Sequence, residues 1–133
     1  MAVSLDRQAL IEGASVAALT AIPFGVVARL VTTNDRASGW AALLAVLVLV
    51  GLLLGAGVAA WRQQVGTPMT HGLLTAVGVF VVIQLVGITR RALAGDALHW
   101  SRISSSLVLT LIAGLIGGLL GSFLQHSGVR SSR

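Results

Sequence analysis

Glu12 is the only glutamate in the 133-residue chain, and it stands near the start of the first long apolar run. A charged group inside a membrane span costs about 2.5–3.5 kcal/mol at the bilayer centre on insertion scales, so it marks function by default. The chemistry open to Glu12 is to carry a proton or to bind a cation. The competing reading is an interfacial carboxylate near a helix N-terminus, where the helix dipole favours negative charge. Arg29 closes the same run; it either lines a path or snorkels to the interface near a helix C-terminus. Gln84 lies inside the third apolar run between Thr75 and Thr89, and serves either a polar path or an interhelical hydrogen bond. Glu12, Gln84 and Arg29 together make the candidate path of a small transporter or channel.

Other chemistry finds little support. His71, His99 and His126 lie near span ends, and none has a His, Asp or Glu partner four residues away, so no metal motif is visible. The absence of Cys excludes a thiolate ligand and a Cys nucleophile. No GxSxG, HExxH or phosphate-binding loop occurs. Ser104, Ser105 and Ser106 read as a helix N-cap cluster rather than as nucleophiles. No enzymatic activity, metal or cofactor is expected. The pI near 11.9 does not point to nucleic acid, because the arginines are scattered at span ends, where anionic lipid supplies the counter-charge. Arg130 and Arg133 form a short basic tail suited to headgroups.

The elements that must position these residues follow from composition. Hydrophobic residues make up 56% of the chain and charged ones 10%, with mean hydropathy +0.94. A soluble domain carries about 25% charged residues, so lipid is the solvent this chain expects. A hydrocarbon core of about 30 Å takes about 20 apolar residues per helix, and four such spans are readable: about 10–31, 40–61, 72–88 and 106–124. They make one all-α, integral membrane four-helix bundle of antiparallel up-down spans, with no second domain. Residues 32–36 are a polar turn cluster, and Pro68 suits the first turn of the third helix. Pro23 is expected to kink the first. The connection from Arg90 to Ser105 carries Leu93, Ala97, Trp100 and Ile103 at helical spacing; it reads as a short interfacial helix or as a loop with one aromatic anchor. The first span reads as a retained helix rather than a signal peptide, since Asp6 offsets Arg7 and Glu12 interrupts the approach. Arg29, Arg36, Arg90, Arg91 and Arg102 face one way, while Arg7, Arg62, Arg130 and Arg133 face the other. This near balance leaves orientation open, dual topology included, although an even number of spans puts both termini on one side.

Helices associate in lipid by close backbone approach, which small residues permit. Gly13, Ala17, Ala21 and Gly25 recur every four residues in the first span, and Gly51, Gly55 and Ala59 do so in the second. The fourth carries two overlapping GxxxG pairs, Gly114 with Gly118 and Gly117 with Gly121. A faint repeat pairs Glu12-Gly13 with His71-Gly72, and Gly51 to Gly55 with Gly114 to Gly118, as if two hairpins were related by an axis along the membrane normal.

The run Gly55 to Arg62, the pair His71-Gly72 and the run Gly114 to Gly121 together resemble the YrzE-like family of small four-span bacterial membrane proteins. The resemblance spans nearly the whole chain and rests on glycine patterns, with the Arg90 to Ser105 connection a departure. It implies a four-helix topology in a bacterial inner (cell) membrane and transfers no functional residue, since the family has no assigned activity. The function expected is that of a structural or accessory membrane protein, as a homo-oligomer or within a larger membrane complex, with the lipid bilayer as constant partner. The alternative is the transporter or channel above.

Overall fold

The computed structural model describes residues 5–31 and 39–128, with the backbone alone for 29–31. The polar turn cluster at 32–36 and the basic tail of Arg130 and Arg133 lie outside the described residues. The described chain is all-α: α1 Arg7–Val31, α2 Gly39–Arg62, α3 Pro68–Ala94 and α4 Trp100–His126. These form the expected four-helix bundle, and all four helices are long and apolar enough to cross a membrane. From Trp40 to Trp61, α2 rises about 32 Å, close to the hydrocarbon thickness of about 30 Å. Across a bilayer its two indoles would fall at opposite interfaces, where amphipathic rings are favoured.

The third and fourth helices are longer than their apolar spans. α3 starts with Pro68 in its first turn, passes Arg90 and Arg91, and stops only at Gly95, whose φ of 71° no side chain would favour. There Gly95 N–H donates to Ala92 O and Asp96 N–H to Arg91 O. α4 begins at Trp100, so the connection from Arg90 to Ser105 is neither a separate interfacial helix nor a long loop. It is the ends of α3 and α4 joined by a short turn. Hydropathy marks where the hydrocarbon ends, whereas Arg, Ala and Leu sustain a helix beyond it. Ser104, Ser105 and Ser106 consequently lie inside α4 instead of capping it. Their hydroxyls donate to the carbonyls of Trp100, Ser101 and Ile103 at 2.9–3.0 Å. α1 continues through Pro23 to Val31.

The packing inverts the order of a water-soluble protein. Ala9, Ala17, Ala56, Ala59, Ala60 and Ala76 are completely buried, while Leu19, Val86 and Phe123 are 77%, 67% and 71% exposed. Small residues inside and large apolar ones outside suit a bundle solvated by lipid. α2 is the hub, packed against all three other helices, and α3 also touches all three; among the described residues α1 and α4 do not meet.

The seams are backbone-close. A Cβ on Gly13 would lie 2.5 Å from Ala59 Cβ and 2.6 Å from Gly55 O; one on Gly55 would lie 2.5 Å from Ala17 Cβ. Gly51 abuts Thr20 and Ala21 in the same antiparallel register. Gly25, expected to extend this stripe, has nothing among the described residues within 4 Å of its Cβ position. Opposite it, residues 46–50 of α2 are all Val or Leu, so the small-on-small register ends at Gly51 and Gly25 lies outside the seam. On α4 the two GxxxG pairs face different helices. Gly117 and Gly121 press on α2, at Leu53 O, Ala56, Gly57 and Ala60, whereas Gly114 and Gly118 press on α3, at Met69, Gly72 and Ala76. α4 runs parallel to α2 and antiparallel to α3.

The internal repeat survives in each hairpin and fails between them. Gly13 meets Gly55 in the first hairpin as Gly72 meets Gly118 in the second. A twofold axis along the membrane normal would turn the α2–α3 contact into an α4–α1 contact, and only the former exists among the described residues.

Candidate functional site

A group of polar side chains gathers at the end of the bundle where α1 and α3 begin and α2 and α4 finish. Asp6 precedes α1 and caps it: Oδ1 accepts from the N–H groups of Gln8 and Ala9, each at 3.2 Å. Its own backbone N–H donates to Nε2 of His71 at 2.8 Å, across 65 residues of chain. His71 is completely buried. Its other nitrogen, Nδ1, lies 2.8 Å from Thr67 O and 3.1 Å from Thr67 Oγ1. A backbone N–H can only donate, so Nε2 is the acceptor. The ring proton is thereby assigned to Nδ1, where it meets the Thr67 carbonyl. His71 thus staples the start of α1 to the first turn of α3.

Gln63 follows the last residue of α2 and is also completely buried. Its Oε1 accepts from Val65 N–H at 2.9 Å and Thr67 N–H at 3.2 Å, shaping the connection that leads to Pro68. Its Nε2 donates to Gln125 Oε1 at 3.2 Å, and Gln125 Nε2 donates back to Gln63 O at 2.8 Å. This reciprocal pair anchors the last turn of α4. Glu12 Oε2 accepts from the Arg62 guanidinium at 2.7 Å, and Gln8 Nε2 donates to Glu12 Oε1 at 3.2 Å. The side chains of Arg62 and Glu12 are 33% and 27% exposed. All four helix ends are joined in one polar layer, which satisfies groups that hydrocarbon could not.

Glu12 and Gln84 are not brought together. Gln84 lies 13 residues along α3 from His71, about 20 Å up the axis. There its Nε2 donates to Ser106 Oγ at 3.2 Å. The two line a cavity of about 270 Å³ with Thr110 and apolar side chains of α2 and α3. Between the two levels sits an apolar cluster of Ala17, Leu52 and Val79. Arg29 belongs to the far end of α1, and its side chain lies outside the described residues. Among the described residues, no group of three or more His, Asp or Glu could hold a metal ion.

Sequence reading singled out Glu12 and overlooked its partner Arg62, together with Asp6, Gln63, Thr67 and Gln125. One signal was present: each lies within a few residues of a span end on the same side of an up-down topology. Comparison with protein-family models, with curated proteins and with solved structures finds no match for this chain.

Proposed function

We propose that this chain is a structural or accessory protein of a bacterial inner membrane, the setting implied by its resemblance to the YrzE-like family. It acts as a compact four-helix unit, as a homo-oligomer or as a subunit of a larger membrane complex, with both termini on one side. The observation that carries this reading is the pairing of Glu12 with Arg62 and Gln8, 2.7 Å and 3.2 Å away. The carboxylate best suited to transport serves the polar layer that holds the helix ends. The Ala17, Leu52 and Val79 cluster separates it from Gln84, so a path through Glu12, Gln84 and Arg29 would have to open the apolar core.

Purification from native membranes in mild detergent, followed by mass spectrometry, tests the proposal. A stoichiometric protein partner or a homo-oligomer of fixed size is expected, with no proton-coupled flux from the protein in liposomes. Flux that disappears in Glu12→Gln would overturn the accessory role in favour of transport.

A further inference from the structure

The contact between α1 and α3 is the slightest in the bundle, and it leaves a groove of about 500 Å³. Leu10, Ala14, Ala18 and Ile22 form one wall, with Thr75 and Gly78 on the other. Three observations say what fills it. First, Thr75, which lines this otherwise apolar cleft, is 3% exposed, yet its Oγ1 is buried with no hydrogen-bond partner among the described residues. A buried hydroxyl without a partner leaves a donor for an acceptor that enters the groove. Second, Thr75 lies one turn, about 6 Å, inward of His71. That is just below the polar layer, near the edge of the hydrocarbon. From Leu10 to Ile22 the groove then runs about 18 Å into the bilayer, comparable with the roughly 15 Å that one leaflet contributes. Third, Arg7 is exposed and stands three residues before Leu10, on the same face of α1. It sets a cation above the mouth of the groove, as an anionic headgroup requires.

We propose that this groove is a phospholipid site. Arg7 pairs with the phosphate, Thr75 Oγ1 donates its proton to the ester carbonyl of one acyl chain, and that chain lies between α1 and α3 as far as Ile22. The site rests on the membrane-spanning reading of the four helices and is independent of any accessory role.

The test uses the full chain, purified, stripped of lipid and titrated with phosphatidylglycerol under native mass spectrometry. A diacylglycerol of the same chains serves as the ligand lacking phosphate. The expected result is one phosphatidylglycerol per chain. Gly78→Leu weakens it by about tenfold or more; nothing lies within 4 Å of the Gly78 Cβ position, so the new side chain occupies the groove without displacing a helix. Thr75→Val weakens binding about fivefold, the worth of one hydrogen bond, and raises the melting temperature of the lipid-free protein by removing the unpartnered hydroxyl. Arg7→Gln removes the preference for phosphatidylglycerol over diacylglycerol. Unchanged affinity in both Gly78→Leu and Thr75→Val would overturn the site. So would a second copy of the chain that cross-links through residue 78 and excludes lipid. Should Gly78→Leu fail to fold, the nearly isosteric Thr75→Val decides alone.

Discussion

At the scale of single residues, burial separates two kinds of polar contact. The Glu12–Arg62 pair looks like the stronger bond, yet both side chains retain about a third of their exposure. Partly exposed ion pairs contribute about 0–1 kcal/mol. His71 and Gln63 are completely buried, and removing either leaves a main-chain N–H without its acceptor, that of Asp6 in the first case and those of Val65 and Thr67 in the second. Such a stranded group costs about 1–3 kcal/mol. His71→Leu should therefore destabilise the protein by up to about that amount, and Gln63→Leu similarly, through Thr67 N–H and the lost pairing with Gln125, since the N–H of exposed Val65 is open to water. Glu12→Gln should cost under about 1 kcal/mol. Thermal denaturation in detergent ranks the three, and a Glu12 effect larger than that of His71 would contradict the assignment of the tautomer and the staple.

At the scale of helices, glycine position rather than glycine count decides the packing. Glycine costs a helix about 1 kcal/mol relative to alanine, and the seams offset that cost only where backbones meet. Gly25 meets nothing among the described residues within 4 Å, so Gly25→Ala should leave stability unchanged or raise it by up to about 1 kcal/mol. At Gly121 a Cβ would collide with Gly57 O and Ala60, so Gly121→Ala should lower the melting temperature. The division of labour on α4 makes a sharper prediction. Gly118→Leu should separate α3 from α4, and Gly121→Leu should separate α2 from α4. Disulfide cross-linking between engineered cysteine pairs on each interface reads the two losses independently. If both substitutions weaken both interfaces equally, the two GxxxG pairs do not serve different partners.

At the scale of the whole molecule, the polar layer and the two Trp levels set the bundle across the membrane. Gln64 and Ser127 are exposed at one end of the bundle, and Asp96 is exposed at the other. Single cysteines at Gln64 and Ser127 should label alike with an impermeant reagent in intact cells, and a cysteine at Asp96 should label oppositely. Dual topology would instead give partial labelling at all three positions. Among the described residues α1 does not touch α4, and it is held mainly by α2 along Gly13, Ala17 and Gly55.

Much of this was written into the sequence in a form that short-range reasoning can use. Apolar runs of bilayer length, a proline at the first turn of α3 and small residues every four positions determined four helices and the faces that pack. Hydropathy and spacing are local properties, and lipid leaves few other ways to satisfy a backbone. The tertiary structure alone decided which seam meets which. Gly114 and Gly117 are three residues apart and look equivalent in the chain, yet one faces α3 and the other α2. It also decided that, among the described residues, Gly25 meets no neighbour and Thr75 Oγ1 has no partner, and that Glu12 is joined to Arg62 across 50 residues. Those outcomes depend on the register between helices, which is fixed by all the seams together and by no single stretch of sequence.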